Sequence, residues 1–174
     1  MKKYLILVKH SLPEIEAEHP ASQWKLSEEG RSRVNRLAEK VKQFQPEMIY
    51  SSSEPKARET AEMLASLLGL EIRAAKDLHE HDRANTPFLD PEAFQVSMRE
   101  LFEEPDQLVF GGETAAQAQA RFAGAVDAVL YDHPDKTVII VSHGTVISLL
   151  VARRIGISDW QLWKELGLPS FIVL

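Results

Sequence analysis

Tyr4-Leu5-Ile6-Leu7-Val8-Lys9-His10-Ser11 decides the fold class, and Val138-Ile139-Ile140-Val141-Ser142-His143-Gly144 repeats its logic near the other end of the chain. Each stretch is a short aliphatic, β-branched run of the kind that forms a strand buried on both faces, and each ends in a histidine. Strands alternating with helical segments imply a parallel sheet covered by helices. Such folds bind ligands at the carboxyl ends of their strands. If the two strands are neighbours, His10 and His143 stand together at one rim of the sheet.

The segments between supply the alternation. Ser27 is an N-cap followed by acidic Glu28 and Glu29, and Val34, Leu37, Ala38, Val41 and Phe44 recur at helical spacing until Pro46. Met48-Ile49-Tyr50 is a second strand. The next helix is expected from near Ser53, with Pro55 in its first turn and Gly69 as its stop. Glu71 to Ala75 reads as a third strand, and residues 90–103 as a helix with Phe94, Met98, Leu101 and Phe102 on one face. Thr114 with Gln117 forms a capping-box pattern. A helix from Thr145 to about Ile155 ends at Gly156, Trp160 and Trp163 mark a short amphipathic segment, and Phe171-Ile172-Val173 is a last strand. The expectation is an α/β protein, a three-layer αβα sandwich with a mostly parallel central sheet. It forms one domain over 1–174, with residues 84–108 as a lid or side cover.

Composition narrows the function. The net charge of −6 argues against non-specific nucleic-acid binding, which needs a basic face. A few well-placed cations can still hold a small anion. With no cysteine, disulfides, thiolate metal sites and cysteine nucleophiles are all excluded. The apolar run after Lys2-Lys3 stops at Lys9, short of a signal-peptide core, and no stretch reaches the length of a membrane span. A soluble, cytoplasmic protein is expected, with no membrane or nucleic-acid partner. Oligomeric state is not readable from these features.

Single residues carry competing readings. His10 alone reads as a strand-end histidine satisfied by backbone carbonyls, but Lys9 adds a cation beside it, Ser11 a small donor, and Ser142-His143-Gly144 a second such tip. Gly144 would let backbone N–H groups approach an anion at the head of the following helix. Lys56, in the first turn of its helix, opposes the macrodipole; it is a solvated lysine, or it holds a phosphate jointly with that helix end. His79-Glu80-His81-Asp82 reads as a solvated loop, as a partial metal site, or as the source of one general acid or base. Gly111-Gly112-Glu113-Thr114 lacks a Walker lysine and reads as a turn into a capped helix. Trp160 and Trp163 read as packing.

Taken together these residues resemble the histidine phosphatase superfamily, the phosphoglycerate-mutase-like fold. Its Arg-His-Gly triplet is matched by Lys9-His10-Ser11, which makes this a divergent member. Leu26 to Gly30, the block from Ser52 to Ala61, Leu78-His79-Glu80, Gly111 to Thr114 and Val141 to Gly144 follow the family's motifs in order across nearly the whole chain. The resemblance implies a metal-independent, cofactor-free phosphatase acting on a small phosphorylated substrate. His10 would become transiently phosphorylated and Glu80, or Asp82, would serve as the acid. Lys9, Ser11, Lys56, His143 and Gly144 would bind the phosphate, with Arg83 and Asp82 as auxiliaries. Lysine keeps the charge of the family's arginines without their bidentate fork. A phosphate-ligand binding protein of the same fold with impaired catalysis is therefore the second reading. A metal-dependent hydrolase built on residues 79–82 is the third.

Overall fold

The computed structural model describes residues 2–174. Five strands and six helices follow in the order β1 (Leu5–Lys9), α1 (Glu28–Lys42), β2 (Met48–Ser51), α2 (Pro55–Leu68), β3 (Ile72–Ala74), α3 (Pro91–Glu103), α4 (Ala115–Asp132), β4 (Val138–Ser142), α5 (Gly144–Ile155), α6 (Asp159–Glu165) and β5 (Ser170–Val173). The sheet order is β3-β2-β4-β1-β5. β1, β2, β3 and β4 run parallel, and β5 closes the edge antiparallel to β1. β1 and β4 are direct neighbours in a register that pairs Lys9 with Ser142, so the two strand-tip histidines emerge side by side.

Period-two alternation in the strands builds the layers. Leu5, Leu7, Val138 and Ile140 face one side, packed with Phe122, Val126, Ile147 and Leu150 of α4 and α5. Ile6, Val8, Ile139 and Val141 face the other, against Val34, Leu37, Ala61 and Leu64 of α1 and α2. Both faces of the central strands are thus covered, which explains their unbroken apolar sequence. The outcome is the expected three-layer α/β sandwich with a mostly parallel sheet.

The helix ends follow local chemistry. The Ser27 side chain accepts from Gly30 N–H, and the capping box between Thr114 and Gln117 is formed in both directions. Asp90 caps α3, with Pro91 at its first position. Gly69 and Gly156 stop α2 and α5 in the left-handed conformation. Three boundaries differ from the sequence reading. α2 is entered through Glu54 rather than Ser53, and α5 begins at Gly144 with His143 in the capping position. Phe44 lies beyond the end of α1, edge-on to Tyr4 and Phe171. A 3-10 turn, Ala21–Gln23, lies in the segment between β1 and α1. Trp160 and Trp163 stack on each other and pack against Phe94 and Phe102, fastening α6 to α3. Among the described residues no helix is long and apolar enough to cross a membrane.

Candidate active site

His10 follows the last residue of β1, and its backbone N–H continues the β1–β4 ladder by donating to Ser142 O at 2.9 Å. Its Nδ1 lies 2.7 Å from its neighbour's carbonyl, Ser11 O. A carbonyl only accepts, so Nδ1 carries the proton and Nε2 keeps a free lone pair. Burial first, then the nearby His143 and Lys56, push the His10 pKa well below the ordinary imidazole value. The ring is therefore neutral at pH 7 and borders a cavity of about 250 Å³.

Lys56, Glu54, His79, Glu80, Asp82, Arg83 and Trp24 share that cavity with His10. Lys56 is only 5% exposed. It is placed there by the first turn of α2, whose Lys56 N–H donates to Trp24 O at 3.1 Å. Its ammonium donates to Ala21 O at 2.5 Å and to Glu54 Oε2 at 2.6 Å. Glu54 was not singled out by the sequence. Its other oxygen, Oε1, accepts from Glu80 N–H at 2.9 Å and lies 3.4 Å from His143 Nε2. One carboxylate thus occupies a seat made by an ammonium, an imidazole and a backbone N–H, donors of the kind that bind a phosphoryl oxygen.

His143 stands behind this seat, with no exposed surface. Its ring centroid is 5.2 Å from that of His10, and its Nε2 is 2.9 Å from Ser52 Oγ, another contact the sequence did not flag. Burial, then Lys56, hold the His143 pKa well below the usual imidazole range.

Glu80 is caught at the head of α5. Its carboxylate accepts from Thr145 N–H at 3.1 Å, Val146 N–H at 3.3 Å and His81 N–H at 2.9 Å, and Arg83 lies 3.6 Å away. Burial opposes ionisation, but Arg83, His143 and the backbone donors outweigh it and hold Glu80 well below the ordinary carboxylate range. The positive end of α5, which the sequence offered to a ligand, is filled by the protein's own carboxylate. Arg83 donates to Thr145 Oγ1 at 2.8 Å, and its guanidinium carbon lies 5.0 Å from the Phe94 ring centroid.

Lys9, Ser11 and Gly144, expected as phosphate ligands, do not border that cavity. The Lys9 ammonium turns away from the cavity and donates to Leu166 O at 2.8 Å, and burial pushes its pKa down. Ser11 is fully buried, its hydroxyl given to Gly30 O at 2.7 Å and its N–H to Thr60 Oγ1 at 3.0 Å, which pins the loop after β1 to both α1 and α2. Gly144 makes room for Lys9: a Cβ at that position would lie 3.1 Å from Lys9 Cε. In this arrangement the polar side chains of Lys9 and Ser11 are each engaged by protein groups, and Gly144 packs against Lys9.

The loop of residues 77–82 owes its shape to partners distant in sequence. Arg121 donates to the carbonyls of Asp77, His79 and Glu80 while pairing with Glu113 at 2.6 Å. Glu113 in turn accepts from Asp82 N–H at 3.0 Å. Gly111 adopts φ +80°, and a Cβ there would meet Asp82 O at 1.9 Å, so this glycine is required by both conformation and space. His81 also borders the cavity. Its Nε2 is 2.7 Å from Glu113 O and its ring lies edge-on to Phe110. Asp82 accepts from Ala84 N–H at 2.9 Å. Among the described residues no three His, Asp or Glu side chains are grouped so as to hold a metal ion.

Residues 5–171 match the family model of the histidine phosphatase superfamily, branch 1. Phosphoserine phosphatase 1 of Hydrogenobacter thermophilus is 26% identical over 171 residues, covering 92% of this chain and 80% of that protein. Glucosyl-3-phosphoglycerate phosphatase of Mycobacterium tuberculosis is 27% identical over 166 residues, covering 86% and 73%. The solved structure of a mycobacterial glucosyl-3-phosphoglycerate phosphatase superposes with a TM-score of 0.80 at 22% identity, covering 98% of this chain and 89% of that one. With the motifs in order and the family match running from the first strand to the last, the chain belongs to branch 1 of the histidine phosphatase superfamily.

Proposed function

We propose that this protein hydrolyses a small phosphomonoester through a phosphohistidine formed on His10. The observation that carries the reading is the His10 ring: Nδ1–H is tied to Ser11 O, so an unprotonated Nε2 borders a cavity that also holds Lys56. Nucleophilic catalysis needs an imidazole held in one tautomer and kept neutral, and the burial of His10 supplies both. In the first step Nε2 bonds to phosphorus, the phosphorus–oxygen bond to the leaving group breaks, and the leaving oxygen departs as an oxide that takes its proton from solvent. In the second, water attacks phosphorus, the nitrogen–phosphorus bond breaks, and a proton of the water passes to solvent, releasing inorganic phosphate. Lys56, together with His143 once Glu54 yields its seat, offsets charge on the phosphoryl oxygens, which is the main demand of this chemistry. Glu80 rests as a carboxylate held by backbone donors; to exchange a proton with water or a leaving group it must first be released from the head of α5.

Rapid quench with a labelled aryl phosphate and no added metal tests the reading. An acid-labile, alkali-stable phosphoenzyme is expected in the intact chain and absent in His10→Ala. Full turnover in that variant overturns it. The neutralisation of Lys56 by Glu54 favours a second reading, a phosphate-ligand binding protein with impaired catalysis. Saturable binding of inorganic phosphate with no phosphoenzyme is its signature.

A further inference from the structure

The cavity beside His10 shares a wall with a second, larger one. Pro20, Ala21, Trp24, Arg83 and Ala84 border both, and the second has a volume of about 490 Å³, within the range of small-ligand pockets. Its character is different. Ile15, Phe88, Leu89 and Phe94 line it, and Trp24 faces Phe88 with ring centroids 6.5 Å apart. Phe88 is 57% exposed and Ile15 64%, although both are large and apolar. They are not scattered across the surface; they meet at one chamber that adjoins the cavity beside His10.

The chamber offers little to a second anionic group. Its cation-forming side chains, among the described residues, are His19 and Arg83. His19 is paired with Glu16 at 2.9 Å, and Arg83 is engaged by Thr145 and Glu80. Glu18 stands at the same wall and would repel a carboxylate.

We infer that this chamber seats the organic group of the substrate, and that this group is an uncharged aryl or alkyl moiety rather than one bearing a carboxylate. The inference rests on the phosphatase reading for the role of the adjoining cavity, and it names the substrate class that reading leaves open. The state of Glu80 favours the aryl member of this class. An aryl oxide departs as a stable anion and needs no proton from a carboxyl group that the head of α5 holds ionised.

Calorimetric titration of the intact chain with methyl-, butyl-, phenyl- and 1-naphthylphosphonate and with 3-phosphonopropionate tests this. Affinity is expected to rise about fourfold for each methylene buried, and further for the aromatic probes, while 3-phosphonopropionate binds more weakly than butylphosphonate. Phe88→Ser, and independently Ile15→Ser, both at exposed positions, should flatten the series. Equal affinities across the phosphonates, tighter binding of 3-phosphonopropionate, or no binding of any probe overturns the inference. The quench experiment separates the two ideas. A flat series with a phosphoenzyme removes the chamber's role and keeps the phosphatase, whereas a graded series without a phosphoenzyme keeps the chamber and removes the phosphatase.

Discussion

Glu54 Oε2 lies 2.6 Å from Lys56 Nζ in a pair that is almost wholly buried, while Oε1 of the same carboxylate faces His143 and the Glu80 N–H. The protein thus holds an internal anion in the seat where a phosphoryl group would be bound. On the proposed reading, a ligand phosphate displaces a charge of its own sign there.

Glu54→Gln removes that competing charge while keeping the shape. The inhibition constant of inorganic phosphate is expected to fall by roughly tenfold or more, since an opposing unit charge within about 4 Å costs kilocalories at protein-like dielectric. Unchanged or weaker phosphate inhibition would show that Glu54 does not hold the anion's place.

The same pair has an asymmetric structural cost. Lys56→Met leaves a buried carboxylate without its ammonium and is expected to destabilise the fold by about 3–5 kcal/mol, read from urea unfolding. Adding Glu54→Gln to that variant should recover a large part of the loss. Additive destabilisation by the two changes would argue against the coupling.

Acid should weaken the fold before carboxylates are titrated. Burial holds His10, His81 and His143 below their ordinary pKa of 6.5, so the folded chain keeps them neutral while the unfolded chain protonates them. Their contribution is complete above pH 6.5 and is lost as pH falls below it, at up to about 1.4 kcal/mol per pH unit for each histidine. Glu80, depressed in the fold, adds a further loss once pH drops through the ordinary carboxylate range. Urea midpoints at pH 7.5, 6.5 and 5.5 should therefore decline, and a flat profile would contradict the buried, neutral imidazoles.

Gly111→Ala attacks the site through its frame. The alanine would meet Asp82 O at 1.9 Å and sit at an unfavourable positive φ, so the loop carrying Glu80 must shift. Phosphatase turnover is expected to fall at least tenfold with the far-ultraviolet circular dichroism retained. Turnover equal to that of the unaltered chain would separate the glycine from the site.

The layers and the rim were legible because apolar period and strand-end position are local properties. The runs ending at His10 and His143 could be read without knowing any partner, and so could the caps at Ser27 and Thr114. What the sequence concealed is where long side chains go. Lys9 extends toward Leu166, far away in the chain, and no neighbouring residue announces it. Glu54 looked like an ordinary polar residue before a helix. Its importance arises only when Lys56, His143 and the Glu80 N–H converge on it across three elements. The one available signal was its position between Ser53 and Pro55, at the mouth of a helix bearing a candidate phosphate lysine. Arg83 was readable as an auxiliary cation, but its engagement with Thr145 needed the packing of the loop against α5.

The order of the sheet bears on how this protein comes into being. β4 lies between β1 and β2, yet both outer neighbours are made long before it leaves the ribosome. A nascent chain holding β1 and β2 has a gap where the central strand belongs, and its strand edges stay open until Val138–Ser142 emerges. The insertion that seals the gap also brings His143 to His10. Assembly of the core and assembly of the site are therefore a single late event, and a chain truncated before β4 would lack both together.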